Sequence, residues 1–226
     1  MSVALSDSIE REVEIIYFGM SSRSRILILT FLTEGMVLIA ALLLARLFDI
    51  ALFPLAENPF RDILLGTCSA SFPLALFVFS LSGKARTIPL LRSVRRTLIT
   101  EIKVVFSATK LIDLCFISVL AGFAEELLFR GVIQAKVGVV VASIIFGLVH
   151  CVSPAYAVVA TIMGFYIGIV YHLGQSLLMP VQLHCVYDFG ALVHLRYFAR
   201  EQWNEGTNPL TGLSNYDEGK EADDNR

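Results

Sequence analysis

The hydrophobic positions of this chain form long runs separated by short polar segments. Six runs of roughly 18–25 residues stand out, a length that matches the hydrocarbon core of a bilayer. Because a bilayer offers no water to unpaired backbone groups, such runs must be helical. The pattern predicts an all-α, polytopic transmembrane helix bundle with about six spans, at approximately 26–48, 63–81, 104–129, 132–149, 155–171 and 177–198.

The overall composition agrees with a membrane protein. Apolar residues make up 56% of the 226 residues, and mean hydropathy is +0.70, whereas soluble domains average about 45–50% apolar. A chain of this length could form one or two soluble domains, but the clustering of apolar residues excludes them. We expect a multi-pass integral membrane protein, of a bacterial or archaeal plasma membrane, with an organelle membrane as the open alternative.

Charge is concentrated between the second and third apolar runs. Seven basic residues lie there, with Glu101 as the only acid: Lys84, Arg86, Arg92, Arg95, Arg96, Lys103 and Lys110. A nucleic-acid patch is one interpretation, but basic residues between two spans are typical of a cytoplasmic loop. Their alternation with aliphatic residues also favours a helix lying at the membrane interface. The expected partner is therefore the lipid bilayer, with no nucleic acid.

The chain accordingly divides into four parts. We expect a polar N-terminal segment over 1–25, then two spans and the basic cytoplasmic loop over 26–103. The later helices, over 104–198, carry the polar motifs, and a polar, mostly acidic tail over 199–226 is expected to be disordered. The four cysteines lie far apart without paired spacing, which indicates free apolar thiols rather than a metal or disulfide framework.

Two adjacent acids and an arginine interrupt the third apolar run. A charged side chain at mid-membrane costs about 2.5–3.5 kcal/mol on insertion scales. On a helix, Glu126 and Arg130 are one turn apart and can pair, whereas Glu125 points about 100° away. The spacing predicts that Glu126 is tied to Arg130 and that Glu125 is free for chemistry. The alternative is that all three are solvated at a helix end.

Two later spans carry histidines at helical spacing from a second notable residue. Phe146 and His150 are one turn apart, as are His184 and Asp188. The second pair suits two ligands of one metal or an imidazole oriented by a carboxylate. The alternatives are a satisfied core histidine and a structural His–Asp hydrogen bond.

Taken together, acids and imidazoles occur on three separate spans, where a bundle can bring them together. A buried carboxylate beside two imidazoles can activate water, by general base catalysis or on a metal. Glu34, near the middle of the first span, could pair with Lys110 or a histidine, or could line the same cavity. Lys110 and Asp113 are expected to form a local ion pair.

The ordered set Glu-Glu-x-x-x-Arg, Phe-x-x-x-His and His-x-x-x-Asp on successive spans resembles the CPBP family of CAAX prenyl endopeptidases and bacteriocin-processing enzymes, also called the Abi family. The resemblance covers about 111–198. It implies that Glu125 activates the attacking water, that His150, His184 and Asp188 are the other catalytic residues, and that Glu126, Arg130 and Phe146 support them. Many relatives have Asn where this chain has Asp188.

The resemblance implies an intramembrane endopeptidase acting on a membrane-bound or prenylated protein. Such proteins have been described both as zinc-dependent and as metal-free glutamate proteases. Glu125, His150, His184 and Asp188 could supply zinc ligands, or Glu125 could act as base with the histidines stabilising an oxyanion; we favour the metal-free site. A proton-coupled transporter and a non-catalytic scaffold or immunity protein remain alternatives.

Overall fold

The computed structural model describes residues 22–199, apart from the side chain of Arg86, and all its regular elements are helical. The predictions for 1–21 and 200–226, including the disordered tail, lie outside the described residues. The main helices are α1 (Ser22–Leu47), α2 (Pro59–Leu81), α3 (Pro89–Thr97), α4 (Leu111–Glu126), α5 (Gln134–Val149), α6 (Pro154–Gly174) and α7 (Leu178–Val193). The predicted all-α membrane bundle is confirmed.

Four helical stretches of the described chain are long and apolar enough to cross a membrane: α1, α2, the continuous stretch Leu111–Val149, and α6. The expected sixth span corresponds to α7, whose 16 residues continue as a π-helical turn over His194–Phe198. Together these 21 residues rise about 30 Å at the usual 1.5 Å per residue. The prediction of about six spans therefore holds roughly, although the α-helical part of α7 alone is too short to cross a bilayer.

The predicted break between the third and fourth spans was misplaced. Helix α4 continues through a π-helical segment, Leu127–Ile133, directly into α5. The chain reverses at Gly138, whose φ of 79° and ψ of 168° are non-helical. This backbone conformation is open to glycine and strained for other residues. The third span was also expected to begin near residue 104, but it begins at Leu111, after an irregular stretch that ends in Thr109 and Lys110.

The reversal at Gly138 folds the second half of α5 back along α4. Phe129 and Phe146 lie edge to face, with ring centroids 4.9 Å apart. Helix α6 then packs against α5, and α7 packs against both α2 and α4. This arrangement places the α4–α5 hairpin at the centre of the bundle, between α1, α6 and α7.

Helix α3 and the π-helical turn after it carry the basic sequence and pack beneath one end of the bundle. Val94 and Leu98 are buried against Leu195. A hydrogen bond of 2.8 Å joins the hydroxyls of Thr97 and Ser153, and Lys103 donates to the carbonyl of Ala199. The segment therefore has one face on the bundle, as an interfacial helix requires.

Helices α1 and α4 run in parallel from a common ion pair. The Arg23 guanidinium donates two hydrogen bonds of 2.6 Å to the Asp113 carboxylate. The expected Lys110–Asp113 ion pair is therefore wrong. Asp113 lies in the first turn of α4, where its carboxylate also accepts from the Lys110 backbone N–H, and a helix N-terminus favours such a carboxylate.

Candidate active site

The two adjacent acids of α4 lie inside the bundle and not at a solvated helix end. Both Glu125 and Glu126 are buried, as is Arg130 in the π-helical segment that follows. Arg130 donates one hydrogen bond to Glu126 Oε1 at 2.8 Å and another to the Gly164 carbonyl of α6 at 2.8 Å. The ion pair predicted from the four-residue spacing is present, and it is also anchored to a neighbouring helix.

Glu125, the first of the two adjacent acids, faces His150. The distance from Glu125 Oε2 to His150 Nε2 is 3.5 Å, which is longer than an ordinary hydrogen bond. His150 Nδ1 lies 2.8 Å from the Phe146 carbonyl. Since a carbonyl oxygen can only accept, Nδ1 carries a hydrogen and the ring is held with Nε2 towards Glu125. The two arms of the α4–α5 hairpin thus supply an acid and an imidazole to one point.

His184 of α7 belongs to the same cluster, and its closest contact there is with Glu126. Its Nδ1 lies 2.6 Å from Glu126 Oε1, and its Nε2 lies 3.4 Å from Asp188 Oδ2. The ring is buried, and His184 is close enough to Glu125 for electrostatic interaction. The spacing of His184 and Asp188 predicted their contact, whereas the contact with Glu126 was not foreseen.

Phe146 is the apolar centre around which these groups are arranged. Its ring stacks on His150, with centroids 4.3 Å apart, and the Arg130 guanidinium lies 4.9 Å from its centroid. The His184 ring lies at 6.1 Å on another side. One aromatic ring therefore fixes the relative positions of the arginine and both histidines.

One further acid belongs to this neighbourhood. Glu34 of α1 is close enough to interact electrostatically with Glu125, His150, His184 and Asp188. It was recognised in the sequence as a costly charge in an apolar run, but the run alone did not show which neighbours it would meet. Of the three positions considered for it, the structure supports the one facing the cluster, and Glu34 forms no ion pair with Lys110 among the described residues.

A catalytic zinc ion usually takes three protein ligands. Both ring nitrogens of His184 face carboxylates, and Nδ1 of His150 faces a carbonyl. His150 Nε2 therefore remains, together with the carboxylate oxygens of Glu34, Glu125 and Glu126 that have no hydrogen-bond partner within residues 22–199. In the described chain no three His, Cys, Asp or Glu side chains converge as a metal site would require. In this arrangement the residues do not fit a resident zinc ion.

Comparison with known proteins agrees with the position of this cluster in the chain. Residues 107–190 match the model of the family described as type II CAAX prenyl endopeptidase Rce1-like. An uncharacterized protein of Bacillus subtilis (strain 168), YpbD, is 30% identical over 108 residues, which cover 46% of this chain and 57% of the relative. The chain therefore spans little more than half of that relative's length. No solved structure gives a significant match.

The matched segment begins just before α4 and ends within α7, so it contains both glutamates, both histidines and Asp188. The helices outside the match, α1 to α3, supply Glu34, the basic interfacial segment and the rest of the membrane embedding. This chain is a multi-pass integral membrane protein, and its residues 107–190 are similar to the type II CAAX prenyl endopeptidase Rce1-like family.

Proposed function

We propose that the protein is an intramembrane endopeptidase that hydrolyses a peptide bond of a membrane-associated or lipid-modified protein. One observation carries the proposal: the α4–α5 hairpin brings Glu125 and His150 within 3.5 Å inside the bundle, with His184 of α7 beside them. Ionisable groups are costly in a membrane interior and mark functional sites there. The family match supports a peptide bond as the target.

In the proposed reaction Glu125 is the general base. Its Oε2 forms no hydrogen bond with the described chain and can accept a proton from a water that also contacts His150 Nε2. A general base must lie within about 3 Å of the proton it removes, directly or through one water. Deprotonation lets the water oxygen attack the scissile carbonyl carbon.

His184 is suited to stabilise the negative charge that then forms on the carbonyl oxygen. Each of its ring nitrogens faces a carboxylate oxygen, and an ionised carboxylate can only accept. Nδ1 lies within hydrogen-bond distance of Glu126 and donates to it, and when Nε2 also carries a proton the ring is an imidazolium that faces both carboxylates. A fixed positive group in a site of low dielectric favours a developing oxyanion, and Glu126, held by Arg130, keeps the ring in place.

The proposed activity does not use a metal. This metal independence is tested by elemental analysis of the purified protein and by measuring peptide cleavage after treatment with a chelator. We expect activity to persist without stoichiometric zinc. Loss of cleavage with a chelator, restored by added zinc, would show that the site rearranges around a metal and that the metal-free mechanism is wrong.

The substrate class is the finer part of the proposal. The family described as CAAX prenyl endopeptidase points to a peptide with a prenylated cysteine near its C-terminus. A prenyl chain partitions into lipid, so it would concentrate such a peptide at a site reached from the membrane. A membrane protein without a lipid modification is the alternative substrate within the same reaction.

The direct test uses the full chain reconstituted in liposomes. An internally quenched peptide with an S-prenylated cysteine three residues before its C-terminus is compared with the same peptide lacking the prenyl group. We expect cleavage of the prenylated peptide at the carbonyl of the modified cysteine. Cleavage of both peptides would show that the prenyl group is not required. Cleavage of neither peptide would contradict the proposed CAAX-type peptidase activity.

Two other functions predict different results in the same liposomes. A proton-coupled transporter would move protons with a solute across the bilayer, which a pH-sensitive dye trapped inside would report. A non-catalytic scaffold would neither cleave nor transport. We expect no proton flux, and a flux without cleavage would favour the transporter.

A further inference from the structure

Helix α1 contributes one acid to the polar cluster. Glu34 is the only charged residue between Arg25 and Arg46 in that helix. It shares a helical face with Ala41 and Ala45, which lie within about 20° of it around the axis and are buried in the bundle. The Glu34 side chain therefore projects from the face of α1 that packs inward.

The height of Glu34 in the membrane follows from the ion pair at the start of α1 and α4. Arg23 and Asp113 hold the two parallel helices in register. Glu34 lies eleven residues beyond Arg23 and Glu125 lies twelve beyond Asp113, which correspond to about 17 and 18 Å of rise. The two carboxyl groups are therefore at nearly the same level, and Glu34 interacts electrostatically with Glu125, His150 and His184.

Glu34 differs from the other carboxyl groups of the cluster in its partners. Glu126 pairs with Arg130, Glu125 faces His150, and Asp188 faces His184. Glu34 has no ion pair within residues 22–199, and its buried Oε2 accepts no hydrogen bond there. Both histidines act on Glu34 without direct contact, and the charges of Glu125 and Asp188 oppose them. A carboxylate with no cation in contact is costly away from water, whereas the neutral acid is far less so.

We propose that Glu34 is a further catalytic residue, the acid that protonates the departing amine; this role rests on the proposed peptidase activity. Glu125 takes a proton from water, and the hydroxide oxygen bonds to the carbonyl carbon. When the tetrahedral intermediate collapses, the C=O bond re-forms, the C–N bond breaks, and the nitrogen receives the proton of Glu34. A proton then passes from Glu125 to Glu34, which restores both groups and leaves one carboxylic acid and one amine.

This assignment gives the two acids separate tasks, and the leaving group distinguishes them. An amide nitrogen needs a proton to depart, whereas the thiolate of a thioester does not. The test compares the prenylated peptide with its analogue in which the scissile amide is a thioester, both added to reconstituted full-length protein. Variants are Glu34→Gln, Glu125→Gln and, as a matched control in the same helix, Thr33→Ala, whose exposed hydroxyl bonds only within α1.

For Glu34→Gln we expect kcat on the amide to fall by about 100-fold or more, the usual contribution of a general acid. On the thioester we expect less than about threefold change, because that step needs no acid. Glu125→Gln should lose both activities, and Thr33→Ala should keep both. Equal losses of Glu34→Gln on amide and thioester, or no loss on either, would overturn the role of Glu34.

A second measurement does not depend on turnover. In the infrared spectrum, wild-type protein minus Glu34→Gln should show the carbonyl stretch of a protonated carboxylic acid. A carboxylate band in its place would overturn the assignment even if peptide cleavage is observed. If the wild-type protein shows the acid band but cleaves neither substrate, the peptidase activity and the proton-donor role are both wrong. The neutral state of Glu34 would still be supported.

Discussion

Arg130 is the residue on which the polar cluster depends most for stability. Its side chain is 2% exposed, and its guanidinium connects the Glu126 carboxylate to the backbone of α6. Burial of such a pair carries a desolvation cost that only complete hydrogen bonding offsets. At the residue scale, the cluster is therefore a network in which each charged group depends on a partner contributed by another turn or helix.

We predict that Arg130→Met destabilises the protein by about 3–5 kcal/mol, the usual cost of leaving one charge of a buried pair alone. The measurement is chemical unfolding of purified protein in detergent. Arg46→Met, which removes an exposed cation at the end of α1, is the control and should change stability little. Equal stability of the two variants would show that Glu126 does not depend on Arg130.

At the scale of elements, the α4–α5 hairpin positions the proposed base and imidazole. The hairpin is held against α6 by a close approach at Gly147. A Cβ at this position would lie 2.7 Å from the Ala157 carbonyl oxygen and would also overlap the Thr161 side chain. The backbone of α6 cannot yield as a flexible side chain can, so α5 and α6 would have to separate.

The expected effect of Gly147→Ala is a loss of stability of about 1–3 kcal/mol, as for other overpacked sites. The rate of peptide cleavage should fall by more than the unfolded fraction of the protein explains, because His150 lies only three residues beyond Gly147 and would be displaced. Both are measured on the same preparation, by thermal unfolding and by cleavage rate. Gly35→Ala, where an added Cβ meets nothing within 4 Å, should leave both unchanged. If Gly147→Ala is as active as Gly35→Ala, the packing of α5 against α6 does not position the catalytic residues.

The hairpin also shows where sequence reasoning reached its limit. The turn at Gly138 lies between Val137 and Val139, and Lys136 is the one charged residue close to it in sequence. Hydropathy therefore placed the break some residues too early, beside Arg130. The Glu126–Arg130 pair was predictable because it depends on one helix. The contacts of Glu126 with His184 and of Arg130 with Gly164 depend on how helices pack, which the spacing within one helix does not specify.

At the scale of the whole molecule, the basic segment determines the expected orientation. Basic loops remain on the cytoplasmic side, so Lys84 and helix α3 should lie there, and the loop between α1 and α2 should lie on the opposite face. The all-α class of the bundle and, roughly, the number of its spans could be predicted from apolar run length, because the bilayer thickness sets that length. The order in which they surround the hairpin could not.

Labelling of single cysteines tests this orientation. In a variant with the four native cysteines replaced, Glu57→Cys should react with a membrane-impermeant maleimide added to intact cells expressing the protein. Lys84→Cys should react only after the membrane is opened, since it is exposed on the other side. The reverse pattern would show that the basic segment faces outward and that the charge rule fails for this chain.

The proposed reaction requires Glu125 as the base that takes a proton from water, and the most direct measurement is peptide cleavage by Glu125→Gln in liposomes. This substitution retains the size of the side chain and removes its ability to accept a proton. We predict that cleavage falls by at least about 100-fold while the unfolding midpoint is retained, and that Glu101→Gln, at an exposed acid outside the cluster, cleaves normally. A folded Glu125→Gln protein with wild-type cleavage would contradict the account.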